Sequence, residues 1–190
     1  MKKYLSIILT IILTCSMLTA CGKQPDKESA KEPEKETEEQ PENLLAEKNL
    51  EDILAAIYEE KSPEFPLLST NVDLADENAV KAFTGLSKED AEKVKEVLAS
   101  ESAMGSQAYS LVLLRLKDAK DAEAIAASMK KGIDPRKWIC VEADDLRVCA
   151  SGDVVMLVMI SSEFADVLTA EQLTDAFASV AGGSLSVELN

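Results

Sequence analysis

Apolar residues are concentrated in two parts of the chain, a short run at its beginning and a long region beyond Leu44. The first run extends from Tyr4 to Leu18 and is interrupted by serine and threonine. It is shorter than the roughly 20 apolar residues that a membrane-spanning helix needs, and this length is typical of a secretory signal peptide. A polar segment separates the two parts. The pattern therefore predicts a leader, a tether and a single folded domain over residues 44–190.

Beyond Leu44, apolar residues at helical spacing predict five helices. The first follows Asn49 as its N-cap and buries one stripe of side chains at 50, 53, 54 and 57. The last begins at a capping box formed by Thr169 and Gln172. The other three are a short helix over 76–83 that ends at Gly85, a helix capped by Ser87 that buries Ala91, Val94 and Leu98, and a helix that Asp118 and Asp121 open and Gly132 closes.

Four segments have the composition of strands: Tyr109–Leu116, 138–143, 146–151 and Val154–Ile160. The first is apolar on both faces except at Arg115, which predicts an interior strand. The other three are joined by Asp144-Asp145 and by Gly152-Asp153, which are short enough for two-residue hairpin loops. We therefore predict an α+β domain, with an antiparallel sheet of about four strands and helices packed mainly on one face.

A hairpin with Asp144-Asp145 as its loop would place two cysteines opposite each other. In that register Glu142 faces Arg147, an opposite-charge pair, and Cys140 faces Cys149. The cysteines fall in a non-hydrogen-bonded pair, where side chains lie close enough for a disulfide. The register predicts a Cys140–Cys149 disulfide, and the alternative is two free, partly buried thiols. Their spacing is not that of a CxxC redox motif.

The beginning of the chain carries the most specific motif. Lys2 and Lys3 form a positive start, and the apolar run ends in Leu18-Thr19-Ala20-Cys21. This ending resembles the bacterial lipobox. The resemblance implies that residues 1–20 are a signal peptide and that Cys21 receives a lipid and becomes the first residue of the mature protein. Acyl chains on Cys21 would then anchor the chain in the membrane. The alternatives are an ordinary signal peptide with a chance cysteine, or an uncleaved anchor.

Residues 21–43 have the composition of a disordered tether. They are rich in lysine and glutamate, and Pro25, Pro33 and Pro41 recur at even spacing. Such a segment cannot bury enough apolar surface to offset the entropy lost on ordering. The alternative of a continuous helix is disfavoured by the prolines. We therefore expect a lipidated, disordered tether that precedes the domain.

Composition excludes several classes of function. The chain has 190 residues, no histidine, and 35 acidic against 20 basic side chains, a formal net charge of −15. Without histidine there is no Ser-His-Asp or Cys-His pair and no histidine zinc site. A chain this acidic lacks the broad basic surface that binds nucleic acid, and we therefore expect no nucleic-acid partner.

Other motifs are weak, and no cofactor is predicted. Ser128 and Lys131 match the S-x-x-K motif of penicillin-recognising enzymes. However, they lie near the end of a predicted helix, and the accompanying S-D-N and K-T-G motifs do not occur in the chain. Carboxylates at 144, 145 and 153 could meet at neighbouring turns, although solvated turn residues are commoner than ion sites. Trp138 and Tyr109 could form a binding platform, although packing at the core edge is the commoner role. No catalytic, cofactor-binding or metal residue is therefore assigned.

Four stretches in sequence order carry a family resemblance: Gly85-Leu86-Ser87, the apolar strand at 109–117, the segment 118–123, and Ile133-Asp134-Pro135-Arg136. Together they resemble the domain-of-unknown-function 4358 family of envelope proteins from Firmicutes-type bacteria, many of them lipoproteins. The resemblance covers roughly residues 50–160. It implies a small α+β domain on the extracytoplasmic face of the cell membrane, with no established activity.

These observations favour a non-enzymatic envelope protein that is anchored in the cell membrane by lipid and binds another envelope protein or a cell-wall component. The first alternative is a histidine-free hydrolase that uses carboxylates or a Ser-Lys pair. The second is the solute-binding subunit of a transporter, which usually needs two lobes where this chain has residues for one.

Overall fold

A computed structural model describes residues 44–190 of the chain. The predicted signal peptide, the tether and Cys21 lie outside the described residues. Between residues 44 and 190 there are five helices and six strands. The helices are α1 (Leu50–Glu60), α2 (Glu77–Thr84), α3 (Lys88–Ala91), α4 (Ala122–Gly132) and α5 (Ala170–Val180). The strands are β1 (Leu67–Asn71), β2 (Val94–Ser102), β3 (Tyr109–Leu116), β4 (Asp145–Ser151), β5 (Val154–Ile160) and β6 (Val187–Leu189).

The six strands form one antiparallel sheet in the order β1-β2-β3-β5-β4-β6. This confirms the α+β class with a single antiparallel sheet, although with six strands where about four were predicted. The loop Gly152-Asp153 joins β4 to β5 as a two-residue hairpin, with Ser151 opposite Val154. Gly152 has a φ of 58°, as a tight turn of this kind requires. Among the described residues, no helix is long and apolar enough to cross a membrane.

Helices cover both faces of the sheet, so the prediction that they pack mainly on one face is wrong. Side chains such as Val112 and Leu157 pack with α2 and α4 on one face, which we call the α4 face. Side chains such as Leu111 and Met156 pack with α1 and α5 on the other, the α1 face. The cause lies in β3 and β5, which are buried at every position. Strands with apolar side chains on both faces are stable only when other elements, here helices, pack against both faces.

The capping signals of α1, α2 and α5 were predicted correctly, whereas the Asp121 side chain, expected to open α4, makes no capping hydrogen bond. The Asn49 side chain accepts a hydrogen bond from the backbone N–H of Asp52 at 2.7 Å, and α1 buries its predicted stripe. Thr169 and Gln172 form the predicted capping box at the start of α5. The helix over 76–83 is confirmed as α2 and ends at Gly85 in the left-handed conformation. These signals act within one turn of chain, so the sequence alone determines them.

The helix that was predicted to follow Ser87 is wrong beyond its first turn. Ser87 does cap a helix, but α3 has only four residues, and Val94 and Leu98 lie in β2. An irregularity in the pairing between Val94 and Glu96 disturbs the alternation expected of a strand. The apolar residues of β2 therefore fall at a spacing that also fits a helix.

The strand predicted over 138–143 is also wrong, and with it the predicted hairpin register. This segment is a loop, and Cys140 within it has a φ of 64°. Strand β4 pairs with β5 on one side and with β6 on the other, so Glu188 lies opposite Cys149. The short C-terminal strand β6 takes the place in the sheet that the sequence pattern assigned to 138–143.

A buried arginine holds the segment before α1 against the sheet. The Arg115 side chain is only 5% exposed, and it forms ion pairs with Glu96 at 3.0 Å and Asp153 at 2.9 Å. It also donates hydrogen bonds to the backbone carbonyls of Leu45 and Lys48. The one charged residue in the apolar strand β3 thus joins β2, the β4–β5 turn and the start of the domain.

Replacing Arg115 by leucine should lower the free energy of unfolding by about 3 kcal/mol, because it removes the buried ion pairs to two carboxylates and the hydrogen bonds to two carbonyls. The matched control is Arg136→Leu, since Arg136 forms a single exposed ion pair with Glu142. That change should alter stability by less than about 0.5 kcal/mol. Urea unfolding of both variants gives the comparison. Equal effects would mean that the Arg115 cluster contributes no more than a surface ion pair.

Candidate functional site

The structure separates the cysteines that were predicted to pair. Both are free: Cys140 is exposed in the loop after α4, and Cys149 is buried in β4 on the α1 face. Burial raises the pKa of the Cys149 thiol far above its ordinary value, and the nearby Glu188 carboxylate raises it further. The predicted disulfide depended on the register of a hairpin that does not form. The two thiols therefore differ sharply in their exposure to reagents.

The other residues singled out from the sequence do not converge on a site. Asp145 begins β4 and Asp144 directly precedes it, whereas Asp153 lies in the turn that follows the strand, about 20 Å away along it. Each has a partner within the domain. The Ser162 hydroxyl and backbone N–H donate to Asp144 at 2.6 Å and lower its pKa, and Asp145 accepts from the backbone N–H of Ala170 at 3.0 Å. Within residues 44–190, no group of His, Cys, Asp or Glu side chains could hold a metal ion.

Ser128 and Lys131, which match the S-x-x-K motif, lie near the C-terminal end of α4, as the sequence indicated. The two aromatic residues considered as a platform lie on opposite sides of the sheet. Tyr109 is fully buried on the α1 face, where Phe65 packs against it, and half-buried Trp138 packs against the α4 face. No shared binding platform results.

A serine and a lysine that the sequence did not single out do meet on the α4 face. Ser110 of β3 donates a hydrogen bond to Glu101 of β2 at 2.8 Å. The Lys137 ammonium forms an ion pair with Glu101 and lies 3.3 Å from the Ser110 hydroxyl. It also lies over the rings of Phe83 and Trp138, at 5.3 and 5.4 Å from their centres. Residues far apart in sequence form this cluster, so no local pattern could have predicted it.

The geometry of this cluster favours a structural role over nucleophilic catalysis. Ser110 is completely buried, so a substrate cannot reach its oxygen. An ammonium group bound to a carboxylate has no lone pair with which to accept the serine proton. The cluster instead fastens the loop after α4 to the sheet, with ring faces covering the lysine charge.

A cavity of about 340 Å³ lies between α2, α3 and the start of β2. Both of its lysines are engaged within the domain. Lys88 forms an ion pair with Glu77 at 2.6 Å, and Lys117 donates to the backbone carbonyl of Glu92 at 2.7 Å. A ligand would have to displace these contacts.

Strand β1 forms an open edge of the sheet. Four of its five residues are exposed, and the Leu68 side chain is 61% exposed. Two backbone hydrogen bonds show which residues of β1 face β2. The Val72 N–H donates to the carbonyl of Val97, and the Ala103 N–H donates to the carbonyl of Pro66. By the alternation of an antiparallel ladder, residues 68 and 70 point their backbone groups at β2, and residues 67, 69 and 71 point theirs outward. Among the described residues, these outward groups have no hydrogen-bond partner.

A groove of about 310 Å³ lies beside this edge on the α1 face. It is lined by α1 together with β1 and β2, through Glu51, Leu54, Ala55, Tyr58, Leu67, Ser69, Leu98 and Ser100. The Tyr58 hydroxyl donates to Ser100 at 2.9 Å and lies 2.9 Å from the Tyr109 hydroxyl. Burial raises the pKa of both tyrosines, so both phenols stay neutral. Among the described residues lining the groove, Glu51 alone carries a charge.

The sequence offered only a weak signal for this edge. Pro63 and Pro66 disfavour a helix just before it, and the five residues of β1, Leu-Leu-Ser-Thr-Asn, lack the alternation of apolar and polar residues that predicts a strand. The groove depends on how α1 crosses the sheet, which is set by packing distant in sequence. Both features emerge only in the folded domain.

Comparison with protein-family models, curated proteins and solved structures finds no match to this chain. The resemblance to the domain-of-unknown-function 4358 family and the lipobox therefore stay predictions from the sequence.

In the folded protein, iodoacetamide should modify Cys140 and spare Cys149. The raised pKa keeps the Cys149 thiol protonated at pH 8, and its burial blocks access, so its rate should be at least about 100-fold lower. Mass spectrometry of peptides labelled before and after denaturation measures both sites in one sample. Cysteines that resist the reagent even after denaturation, until a reductant is added, would indicate a disulfide and contradict the structure.

Proposed function

We propose that this chain is a lipid-anchored protein of the cell envelope, located on the extracytoplasmic face of the membrane. Its domain over 44–190 would be a non-enzymatic binding module for an envelope protein or a cell-wall component. The observation that supports binding is the open edge of β1 beside a groove, because the outward backbone groups of this edge have no partner within residues 44–190. Elsewhere, Ser110 and Lys137 contact Glu101, and Asp144 accepts hydrogen bonds from Ser162, so these polar groups have partners within the domain.

The anchor part of this proposal rests on the lipobox that ends in Cys21 and on the family resemblance. Two or more acyl chains hold a protein stably at a membrane, whereas one chain binds only marginally. A chain of net charge −15 is repelled by anionic headgroups, so attachment would depend on the lipid. The tether of about 22 residues would span roughly 25 Å as a flexible chain, and its charge and prolines would extend it.

Replacing Cys21 by serine should abolish metabolic labelling with an alkyne fatty acid and release the protein from the membrane fraction, because the acylated thiol is lost. Cys15→Ser is the matched control, since a cleaved signal peptide carries Cys15 away with it. That variant should be labelled and should fractionate like the unaltered chain. If the Cys21 variant stays in the membrane fraction, the apolar run over 4–18 is acting as an anchor and this part of the proposal fails.

Binding through the β1 edge can be tested on intact cells with a photo-crosslinking amino acid at position 68. Leu68 points away from the groove but lies on the open edge and is 61% exposed, so an adduct with a bound partner should form there. The same amino acid in place of the exposed Ala124 on α4 is the control. We expect a discrete adduct at position 68 and none at 124. Equal adduct patterns at the two positions, or none at either, would count against a binding role for this edge.

A further inference from the structure

We propose that the partner adds to the outer edge of β1 as an extended peptide strand carrying lysine or arginine side chains. This inference rests on the proposed binding function and specifies the chemistry of the partner. It follows from three properties of the same surface: the direction of backbone groups, the position of the groove and the sign of the charge.

The backbone of β1 favours another strand as the occupant. The outward N–H and C=O groups of Leu67, Ser69 and Asn71 recur about every 6.8 Å along the edge, which is the repeat that a pairing strand presents. Free edges are commonly protected by charged residues, proline or an irregular pairing. Strand β1 is Leu-Leu-Ser-Thr-Asn and its pairing with β2 is regular, so it carries none of these protections.

The side chains beside the edge suit an extended segment. Residues of an added strand would alternate between the two faces of the sheet. Those on the α1 face would lie next to Leu67 and Ser69 at the rim of the groove, and those on the α4 face would lie next to Leu68. Main-chain hydrogen bonds would supply affinity and these contacts would supply specificity, as in other cases of strand addition.

The negative charge around the edge favours a cationic partner. Glu51 lies in the groove without a lysine or arginine among the other residues that line it, and the whole chain has a formal charge of −15. On the α4 face, Glu101 is already neutralised by Lys137. A cationic segment gains from both Glu51 and the overall field. A second copy of this chain brings the same negative charge to the edge and is therefore disfavoured.

The probe is an acetylated and amidated peptide, (Val-Lys)3-Val, added to the full-length protein in detergent micelles. Residue-resolved hydrogen exchange should show the amides of 67, 69 and 71 unprotected in the free protein. The peptide should slow their exchange by about tenfold or more, because a new strand then accepts their hydrogen bonds. The amides of 68 and 70 already face β2 and should change little. The matched peptide (Val-Glu)3-Val should bind at least about fivefold more weakly.

Two variants separate the backbone contribution from the charge contribution. Ser69→Pro removes one outward N–H at an edge position where proline is tolerated. It should weaken binding of the lysine peptide about tenfold or more. Glu51→Gln should weaken binding of the lysine peptide about fivefold, and it should not weaken binding of the glutamate peptide. Glu59→Gln is the control, because Glu59 is an exposed acid on the same helix outside the groove. It should leave both affinities unchanged.

Equal binding of the two peptides, or unchanged binding to Ser69→Pro, would overturn the proposal. Outward amides that are protected in the free protein would also overturn it. Protection that grows with protein concentration would indicate a second copy, and protection that disappears when residues 22–43 are deleted would indicate the chain's own tether. If the peptide fails but the adduct at position 68 persists on cells, the binding function stands and only its strand-addition chemistry fails.

Discussion

The structure depends on the burial of two neighbouring strands on both of their faces. In β3 and β5 every residue is buried, and the two strands are paired in the middle of the sheet. An antiparallel sheet often leaves one face in water, but this centre requires apolar cover above and below it. The helices meet that requirement in pairs, α1 with α5 on one face and α2 with α4 on the other. The outer strand β1 lies largely beyond this cover.

Polar groups enclosed by this architecture are satisfied inside the domain. Arg115 is bound by two carboxylates and two carbonyls, and Lys137 is bound by Glu101 and two aromatic rings. No buried side-chain nitrogen or oxygen among the described residues lacks a hydrogen-bond partner. Breaking such contacts to act on a substrate would carry a large desolvation penalty. The interior charges therefore hold the fold together, whereas the outward backbone groups of β1 make no such contacts among the described residues.

Local structure was predictable from the sequence, whereas the choice of strand partners was not. Asn49 and Thr169 cap helices through contacts within one turn, and the run at β3 is apolar enough to identify an interior strand. Strand β6 has three residues, too few to produce a pattern, yet its pairing excludes 138–143 from the sheet. The predicted Cys140–Cys149 pair assumed that the nearest segment would be the partner, and a segment about 40 residues away took that place. The groove between α1, β1 and β2 and the Ser110–Lys137–Glu101 cluster likewise depend on contacts between segments that are distant in sequence.

The two edges of the sheet differ in a way that bears on binding. Strand β6 is short and carries Glu188, and the residue that follows it, Asn190, accepts a hydrogen bond from Lys130 of α4. Shortness and charge are common means of preventing further strands from adding to an edge. Strand β1 is longer, uncharged and regular, with its outward groups unpaired within the described residues. The edge of β1 is therefore open to another strand, and Glu51 beside it together with the net charge of −15 favours a cationic one, which is why we place the partner on β1 and not on β6.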